Sequence, residues 1–363
     1  MLNNTEKVYG WSRSTYSNSF VFKPTNFKEI YDIITFAKLH NKKISCRAAG
    51  RSYGDNTLNT DQIIIDISNF NNILKWDPES GRVKVQGGVI IDQIILKCSN
   101  EGWTFPSMPG TRFVTIAGAL SNNIHGKNAY HQGCIGEHVE NFKIILADNN
   151  IYFCSRDVNS ELFFSGIGGL GLLGIIVEAE LKLRKIASFY VAGKVENFNN
   201  IEDLCNNYDT IKEENEYSIA WLDTIKKGSK LGRGEINCAN FLDDNDYEIT
   251  DHDIPENFFN IIPNSWMPFF VRPFLNVNTI RLLNWLQIHT RSLSSDLQMN
   301  KISLSKYHFV MDRKFPKYNY FFKYGFFEYQ PILPLESCIK GFKELIKITH
   351  KYGFYSLMTG LKA

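Results

Sequence analysis

The spacing of apolar residues predicts a helix near the start of the chain. Asn26 and Glu29 are spaced like the two members of a capping box, and apolar residues follow them at intervals of three and four. We expect this helix to end near Asn41, where the periodicity changes. The same kind of spacing predicts further helices at Ile90–Ser99, Ser160–Phe164 and Ser337–His350.

Short runs rich in β-branched and aromatic residues predict the strands. The predicted strands are Lys43–Ala48, Ile63–Ile67, Arg82–Gln86, Val139–Leu146, Ile151–Cys154, Ile175–Leu183, Tyr217–Leu222 and Phe326–Ile332. Two of them flank Asp148–Asn150, a good turn sequence, and therefore predict a hairpin. Because helices and strands are intermixed without a regular β-α-β alternation, the pattern predicts an α+β fold.

A change in composition divides the chain near residue 188. The Gly-rich turns lie before this point, and most of the aromatic residues lie after it. A length of 363 residues is consistent with two domains. We therefore predict one domain over residues 1–188 and a second over residues 189–363.

Composition and charge exclude several classes of protein. The chain is 44% hydrophobic with a formal net charge of +2, which is typical of a globular protein and does not predict a nucleic-acid groove. The seven cysteines form no C-x-x-C pair, so neither a disulfide framework nor a metal site is expected. A reducing cytoplasm fits these thiols. Neither a signal peptide nor a transmembrane segment is predicted.

The first segment with candidate chemistry is Arg47–Asn56, a Gly-rich turn at the end of the first predicted strand. Glycines allow backbone N–H groups to approach an anion closely, and successive N–H groups can form a nest for phosphate oxygens. Arg47 and Arg51 would add charge-assisted donors. A tight turn with solvated arginines explains the same residues equally well.

A second segment, Pro109–Asn128, favours the anion-binding interpretation. Small residues are concentrated between Thr115 and Ser121, which permits close approach to a flat group or to another backbone. The segment leads into His125 and Lys127. Two separate Gly-rich segments in one domain indicate a long dinucleotide that is held at both ends.

A third Gly-rich segment has the spacing of a dinucleotide-binding fingerprint but the wrong surroundings. Gly166, Gly168 and Gly171 match G-x-G-x-x-G. That fingerprint requires a strand before it and a helix after it. Here a helix is predicted before it and a strand after it, so the Rossmann interpretation fails. Close approach of these glycines to a cofactor in another fold stays open.

Together these segments resemble a known flavoprotein family. The sequences R-A-A-G-R-S-Y-G-D-N, P-G-T-R-x-V-T-I-A-G-A, N-I-H-G-K-N and G-G-L-G-L-L-G-I-I resemble the PCMH-type FAD-binding domain of the vanillyl-alcohol oxidase superfamily. Within it, they most resemble the decaprenylphosphoryl-β-D-ribose 2′-oxidase family. Further matches cover nearly the whole chain: Gly10–Trp11, Tyr217–Asp223, Gly232–Arg233, Phe327–Gln330 and Tyr355–Lys362. The resemblance implies a two-part FAD-binding domain followed by an α+β substrate-binding cap with an antiparallel sheet.

The resemblance also implies which residues bind FAD. They are Arg47, Ala48, Ala49, Gly50, Arg51, Ser52, Tyr53, Gly54, Asp55, Asn56, Thr57, Gly110, Thr115, Ile116, Ala117, Gly118, Asn122, Asn123, Ile124, His125 and Ile176. Ile176 is expected near the adenine end, and His125 near the isoalloxazine. Many relatives attach FAD through a histidine at the position that Asp55 occupies here, so non-covalent FAD is expected.

For the substrate, the resemblance implies Trp221, Gln330 and Lys362 as pocket residues. The lysine that the family uses as a base would lie beyond Ala363, which suggests that the cap is incomplete at its C-terminus. Either the sequence is a fragment or another group replaces that lysine. Tyr53, His125 and Lys127 are the nearest substitutes.

The function implied by the resemblance is FAD-dependent oxidation of a sugar hydroxyl. The expected substrate is the 2′-hydroxyl of a polyprenyl-phosphate-linked pentose, as in cell wall biosynthesis, with an NAD(P)H-dependent reductase as a partner that completes an epimerisation. The alternatives are an aldonolactone or alditol oxidase that uses O2, and a flavin-binding protein that lacks activity. A cytoplasmic location is expected, with peripheral contact to the inner membrane surface.

Three further features have two interpretations each. The aromatic segment Phe258–Leu275 is too interrupted by proline for a helix, and predicts either a flap that contacts a lipid or ordinary cap core. The cluster around Lys226, Lys227, Lys230 and Arg233 suggests either a phosphate contact or a solvated turn. The aromatic residues of Tyr318–Phe322 predict packing, with one tyrosine able to reach the flavin edge.

Overall fold

A computed structural model describes residues 4–249, 257–258, 261–292, 300–356 and 358–362. The strands of the first half are β1 (Glu6–Tyr9), β2 (Tyr16–Phe22), β3 (Ile44–Arg47), β4 (Ile63–Asp66), β5 (Ile73–Asp77), β6 (Arg82–Gln86), β7 (Trp103–Thr104), β8 (Val139–Ile145), β9 (Ile151–Ser155), β10 (Ile175–Lys182) and β11 (Arg184–Lys185). Its helices are α1 (Phe27–Leu39), α2 (Ile91–Cys98), α3 (Ile116–Ser121), α4 (Ala129–Gln132) and α5 (Ser160–Gly166).

The second half contains strands β12 (Tyr190–Phe198), β13 (Tyr217–Asp223), β14 (Arg233–Phe241), β15 (Asn257–Phe258), β16 (Ile262–Pro263), β17 (Asn300–Ser303) and β18 (Gly360–Leu361). Its helices are α6 (Ile201–Glu214), α7 (Met267–Val271), α8 (Val277–Ser292), α9 (Leu304–His308), α10 (Val310–Lys314) and α11 (Cys338–Lys351). Short 3-10 turns lie at Ser99–Glu101, Ile135–His138, Gly228–Lys230, Arg272–Phe274, Tyr318–Tyr320 and Leu335–Ser337.

The first sheet has the order β1-β2-β4-β3, with β4 parallel to both of its neighbours. The side chains of Ile63, Ile64 and Ile65 are fully buried, as expected for a central strand. Helix α1 connects β2 to β3 and begins as predicted, since Oδ1 of Asn26 accepts a hydrogen bond from the N–H of Glu29 at 3.0 Å. The helix prediction for this region is confirmed.

The second sheet is antiparallel, in the order β5-β6-β10-β8-β9. Strands β8 and β9 form the predicted hairpin, and Oδ1 of Asp148 accepts the N–H of Asn150 at 2.9 Å in its turn. Helix α3 packs against β10 beside Gly87, where a Cβ atom would lie only 2.3 Å from the carbonyl oxygen of Ile176. The first half is therefore a two-part, mixed α and β unit.

The sheet of the second half is also antiparallel, in the order β17-β12-β14-β13-β18. Helices α6 and α11 cover one of its faces and bury a small apolar cluster that includes Ala220, Leu222 and Phe342. Alternate residues of β13 point the other way, and Tyr217 belongs to the large core of the first half. One face of this sheet therefore has its own core, and the other faces the first half. The α+β prediction is confirmed.

The predicted strand at Phe326–Ile332 is wrong. These residues form irregular coil, and the side chains of Phe327, Tyr329 and Ile332 are 85%, 75% and 98% exposed. Aromatic and β-branched composition favours a strand only where a neighbouring strand accepts it. Here Pro331, which has no N–H group, immediately follows the alternating residues.

In the aromatic segment Phe258–Leu275, the predicted absence of a helix is wrong, and ordinary core does not describe all of its residues. Residues 259 and 260 lie outside the described residues. A short helix, α7, does form, because its proline lies in the first turn, where the missing N–H is tolerated. Trp266, Phe269 and Phe274 are exposed, so the interpretation as ordinary core fails for them. No helix within the described ranges is both long and apolar enough to cross a membrane.

Candidate flavin and substrate site

Arg47 holds the first Gly-rich loop closed. Its guanidinium donates to Oγ1 of Thr57 at 3.0 Å and to the carbonyl oxygen of Tyr9 at 3.1 Å. Gly50 has a φ of 61°, and a Cβ there would lie 2.2 Å from Nη2 of Arg47. Arg47 therefore shapes the loop from beneath, and its contact with a phosphate stays a prediction.

The loop that follows has unused backbone donors. The N–H groups of residues 48–57 donate no hydrogen bond to any residue that the structure describes. Two carbonyl groups of the loop are bound to the N-terminal segment: that of Ser52 accepts the N–H of Trp11 at 2.9 Å, and that of Tyr53 accepts Oγ of Ser12 at 2.6 Å. Free N–H groups next to glycines are what the oxygens of a dinucleotide require, so this loop fits FAD.

The second Gly-rich segment is locked into place by its own backbone. Oγ1 of Thr115 caps α3 by accepting the N–H of Gly118 at 3.4 Å, and the N–H of Ala117 donates to Gly87 at 2.9 Å. Asn123 has a φ of 42°, and its Oδ1 accepts the N–H of Gly136 at 3.0 Å. The side chain of Ile116 is fully buried, so of the predicted FAD residues this one contributes to packing.

The third Gly-rich segment packs against α3. The N–H of Leu170 donates to the carbonyl oxygen of Ser121 at 2.7 Å, and that of Gly168 to Leu120 at 2.9 Å. Ile176 and the glycines of this segment line a shallow depression of the surface. The order α5–glycines–β10 confirms that this is not a Rossmann fingerprint.

Lys127 lies at the junction of the two halves. Its Nζ donates to the carbonyl oxygen of Tyr307 at 2.5 Å and lies 4.4 Å from the centroid of that ring. Its own carbonyl accepts the N–H of Ser218 on β13 at 2.9 Å. Desolvation, together with the positive charge of Lys362, lowers the pKa of Lys127 to about 7.

The strand register brings two predicted substrate residues to the same junction. Trp221 pairs with Gly360 and Ala220 with Leu361, so Trp221 and Lys362 lie on one face of the cap sheet. This is the face of Tyr217, whose ring is 5.4 Å from that of His308. Lys362 keeps solvent-exposed surface, yet desolvation lowers its pKa while Glu328 opposes the shift. An ammonium group that the protein encloses in part has these two properties.

His125 and Gln330 are each connected to Lys362, His125 by its electrostatic interaction with that residue and Gln330 through Glu328. His125 forms an isolated bridge with Cys134, and desolvation together with Lys362 lowers the pKa of its imidazole. Gln330 is in the exposed coil, where its Nε2 donates to Oε1 of Glu328 at 2.7 Å. Glu328 also interacts electrostatically with Lys362, so the coil and the C-terminal strand come together.

Tyr53 contacts the second half directly. Its hydroxyl is hydrogen-bonded to that of Tyr318, and its ring lies edge-on to Phe326 at 5.2 Å between centroids. Burial raises the pKa of Tyr53, and Tyr318 raises it further. Tyr53 therefore stays protonated near neutral pH, which suits a hydrogen-bond donor better than a base. A tyrosine from Tyr318–Phe322 does reach the predicted FAD loop.

Two buried residues at the junction were not found from the sequence. The carboxylate of Asp312 accepts hydrogen bonds from the hydroxyl of Thr111 at 2.8 Å and from the N–H of Arg112 at 2.9 Å. Burial raises the pKa of this carboxyl group. His308 contacts the carbonyl oxygen of Met108 at 2.9 Å, and burial lowers its pKa to about 3. Neither lies in a motif, and each contacts a residue about 200 positions away, so no sequence signal identifies them.

The basic cluster of the second half separates into two environments. Nε of Arg233 forms a buried ion pair with Oδ2 of Asp223 at 3.2 Å. Lys227 and Lys230 are exposed in the turn before β14. Arg233 is therefore part of the packing of β13 on β14, whereas the lysines fit the solvated-turn interpretation.

Comparison with known sequences agrees with this geometry. Residues 19–155 match a family described as "FAD binding domain". This match covers the Gly-rich loop, α3 and the junction residues His125 and Lys127. The first half of the chain therefore contains an FAD-binding domain.

Nearly the whole sequence is similar to decaprenylphosphoryl-β-D-ribose oxidase of Mycolicibacterium smegmatis, at 28% identity over 99% of the chain and 78% of the relative. D-arabinono-1,4-lactone oxidase of Yarrowia lipolytica is 27% identical over 58% of the chain and 39% of the relative. L-gulonolactone oxidase of Mus musculus is 26% identical over 49% of the chain and 39% of the relative. The last two matches span less than half of those proteins.

Proposed function

We propose that this chain oxidises a secondary hydroxyl group of a sugar, and that the substrate is the 2′-hydroxyl of a polyprenyl-phosphate-linked pentose. Similarity to the mycobacterial oxidase over 99% of the chain, cap included, supports this substrate class. Such a reaction belongs to cell wall biosynthesis. A keto-sugar product would need an NAD(P)H-dependent reductase as the partner that completes an epimerisation.

The observation that carries the proposal is the position and charge of Lys127. The residue lies between the FAD-binding half and the substrate-facing side of the cap sheet, and its pKa of about 7 leaves a large fraction of neutral amine near neutral pH. A neutral amine there can accept the proton of a sugar hydroxyl. Bound FAD supplies the acceptor for the hydride.

The other residues at the junction of the two halves have distinct roles in this proposal. Lys362, on the same face as Trp221, orients the substrate and favours an anionic one. Tyr53, kept protonated by burial and by Tyr318, donates a hydrogen bond to a ring or substrate oxygen. His125 borders the same space. Its pKa is lowered as well, so it is the second group that can accept a proton.

We further propose that FAD is bound without a covalent link. Asp55 stands where covalent relatives have histidine, and a carboxylate cannot form that bond. The unpaired N–H groups of residues 48–57 hold the cofactor by hydrogen bonds instead. Denaturing the purified yellow protein with acid should release all the flavin into the supernatant, whereas flavin that stays with the precipitate would contradict this.

Anaerobic reduction of the flavin tests the substrate. A polyprenyl-phosphoryl pentose should bleach the flavin absorbance, and free alditols or aldonolactones should not. The inverse pattern would favour the second candidate, an aldonolactone or alditol oxidase that uses O2, which the matches to the two lactone oxidases support. Absence of bleaching by every sugar, with FAD bound, would indicate the inactive flavin-binding protein.

Membrane contact is the remaining part of the proposal. Trp266, Phe269 and Phe274 expose 60%, 74% and 65% of their side chains in the second half. Exposed aromatic residues of this kind are typical of proteins that meet a lipid surface. Wild-type protein should co-sediment with vesicles that contain anionic lipid, and the triple variant W266S/F269S/F274S should remain in solution.

A further inference from the structure

Two cysteines of the cap lie next to each other although they are 133 positions apart in the chain. Sγ of Cys205 on α6 and Sγ of Cys338 on α11 are 3.6 Å apart. Both side chains are half-buried, so a small reagent can reach them. The cap sheet separates these helices from the face that carries Trp221 and Lys362.

We propose that Cys205 and Cys338 form a redox-active dithiol, a modification site that closes into a disulfide between α6 and α11. A disulfide has an S–S length of about 2.05 Å, so the sulfurs must approach each other by about 1.5 Å from their separation of 3.6 Å. Rotation of two partly exposed side chains supplies a movement of this size. This inference is independent of the proposed substrate.

The reaction requires a two-electron oxidant, for which a hydroperoxide is the simplest class. One thiol attacks the peroxide oxygen, which gives a sulfenic acid and releases an alcohol or water. The second thiol then displaces the hydroxyl group as water, and the S–S bond forms. Two thiols are oxidised and one peroxide is reduced in total.

Local structure distinguishes the two sulfurs. Cys338 is the first residue of the 14-residue helix α11, and the N-terminal end of a helix dipole interacts favourably with negative charge. Burial raises the pKa of Cys205 to about 12, and Cys338 contributes to that shift. Cys338 is therefore the attacking thiol, and Cys205 is the resolving thiol.

The bond would join two elements that are otherwise held by weak contacts. A small apolar cluster and an exposed ion pair between Lys343 and Glu202 connect α6 to α11. Helix α11 leads into the segment that ends in β18 and Lys362. A covalent link here restrains the helix on which that segment depends, and it closes a long loop of the unfolded chain, which favours the folded state.

Thiol counting on the flavin-loaded protein tests the proposal. Reduced protein is treated with hydrogen peroxide, blocked with a maleimide and digested, and the peptides are identified by mass spectrometry. We expect one disulfide-linked pair, Cys205 with Cys338, a rise in Tm of about 3–6 °C, and slower hydrogen exchange in α11. Dithiothreitol should reverse all three.

Matched variants separate this pair from the other thiols. Cys338→Ser and Cys205→Ser should each abolish the linked peptide and the rise in Tm, while Cys134→Ser, which removes another half-buried thiol, should retain both. The proposal is overturned if peroxide links other cysteines or leaves all seven thiols reactive. It is also overturned if peroxide raises the Tm of Cys338→Ser as much as that of the wild-type protein.

Discussion

The two halves of the molecule build their parts of the site in different ways. In the first half, the groups that we propose to bind FAD come from continuous Gly-rich segments, and the backbone itself has free donors there. In the cap, Trp221 comes from β13, Lys362 from the end of β18 and Gln330 from irregular coil. A site made by backbone conformation is visible in local sequence, whereas a site made by strand register is not.

The largest expected effect comes from Lys127, where the two halves meet. Replacement by methionine should lower the rate of flavin reduction by about 100-fold or more, because proton acceptance by a positioned base contributes about that much. Stopped-flow reduction under anaerobic conditions measures it. FAD content should be unchanged, and a variant that retains more than a tenth of the rate would assign proton acceptance elsewhere, first to His125.

The pH dependence of the same step sharpens that assignment. The pKa of Lys127 is lowered to about 7, so the neutral amine increases as the pH rises through 7, and the rate should rise over this range. Lys127→Met should remove this dependence. A rate that falls with increasing pH would contradict a neutral lysine as the acceptor.

Gly50 tests the backbone-built half. Gly50→Ala should weaken FAD binding about tenfold or more, because the residue has a φ of 61° and its Cβ would displace the Arg47 guanidinium from its hydrogen bonds. Titration of apoprotein with FAD gives the affinity. Gly341→Ala, in α11, controls for glycine replacement in general, and equal affinities in the two variants would be evidence against a rigid loop.

Asp312 tests the contact between the halves. Asp312→Ala should lower the free energy of unfolding by about 2 kcal/mol, because the Thr111 hydroxyl and the Arg112 N–H lose their buried acceptor. Asp244→Ala removes an exposed partner of Lys301 and should have a much smaller effect, because surface ion pairs are screened by solvent. Urea denaturation compares them, and equal losses would mean that the buried contact adds nothing.

The last effect is a pH dependence of stability at His308. Its folded pKa of about 3 lies below the usual value of 6.5, so the unfolded chain binds the extra proton first. The contribution of this residue to stability is therefore fully present above pH 6.5 and is lost as the pH falls towards 3. His308→Gln should show a shallower decline of Tm between pH 6.5 and 5, and an unchanged slope would argue against a neutral buried imidazole.

Local elements were predicted well where local physics decides them. The Asn26 cap, the hairpin around Asp148 and the helix–glycine–strand order before β10 depend on neighbouring residues, and each is confirmed. The strand at Phe326–Ile332 is wrong because a strand requires a partner that composition does not reveal. The contact of Arg47 with a ligand stays a prediction, while its hydrogen bonds to Thr57 and Tyr9 close the loop, which the sequence did not indicate.

The sequence by itself determined the α+β class, the Gly-rich segments of the FAD-binding half and the residue types available for chemistry. Only the tertiary structure decided their electrostatic state and their partners. The pKa of Lys127 falls because Tyr307 and the cap enclose it, and Tyr53 stays protonated because burial and the neighbouring Tyr318 raise its pKa. Desolvation and charge coupling depend on distances in space, and residues separated by about 200 positions acquire those distances only when the chain folds.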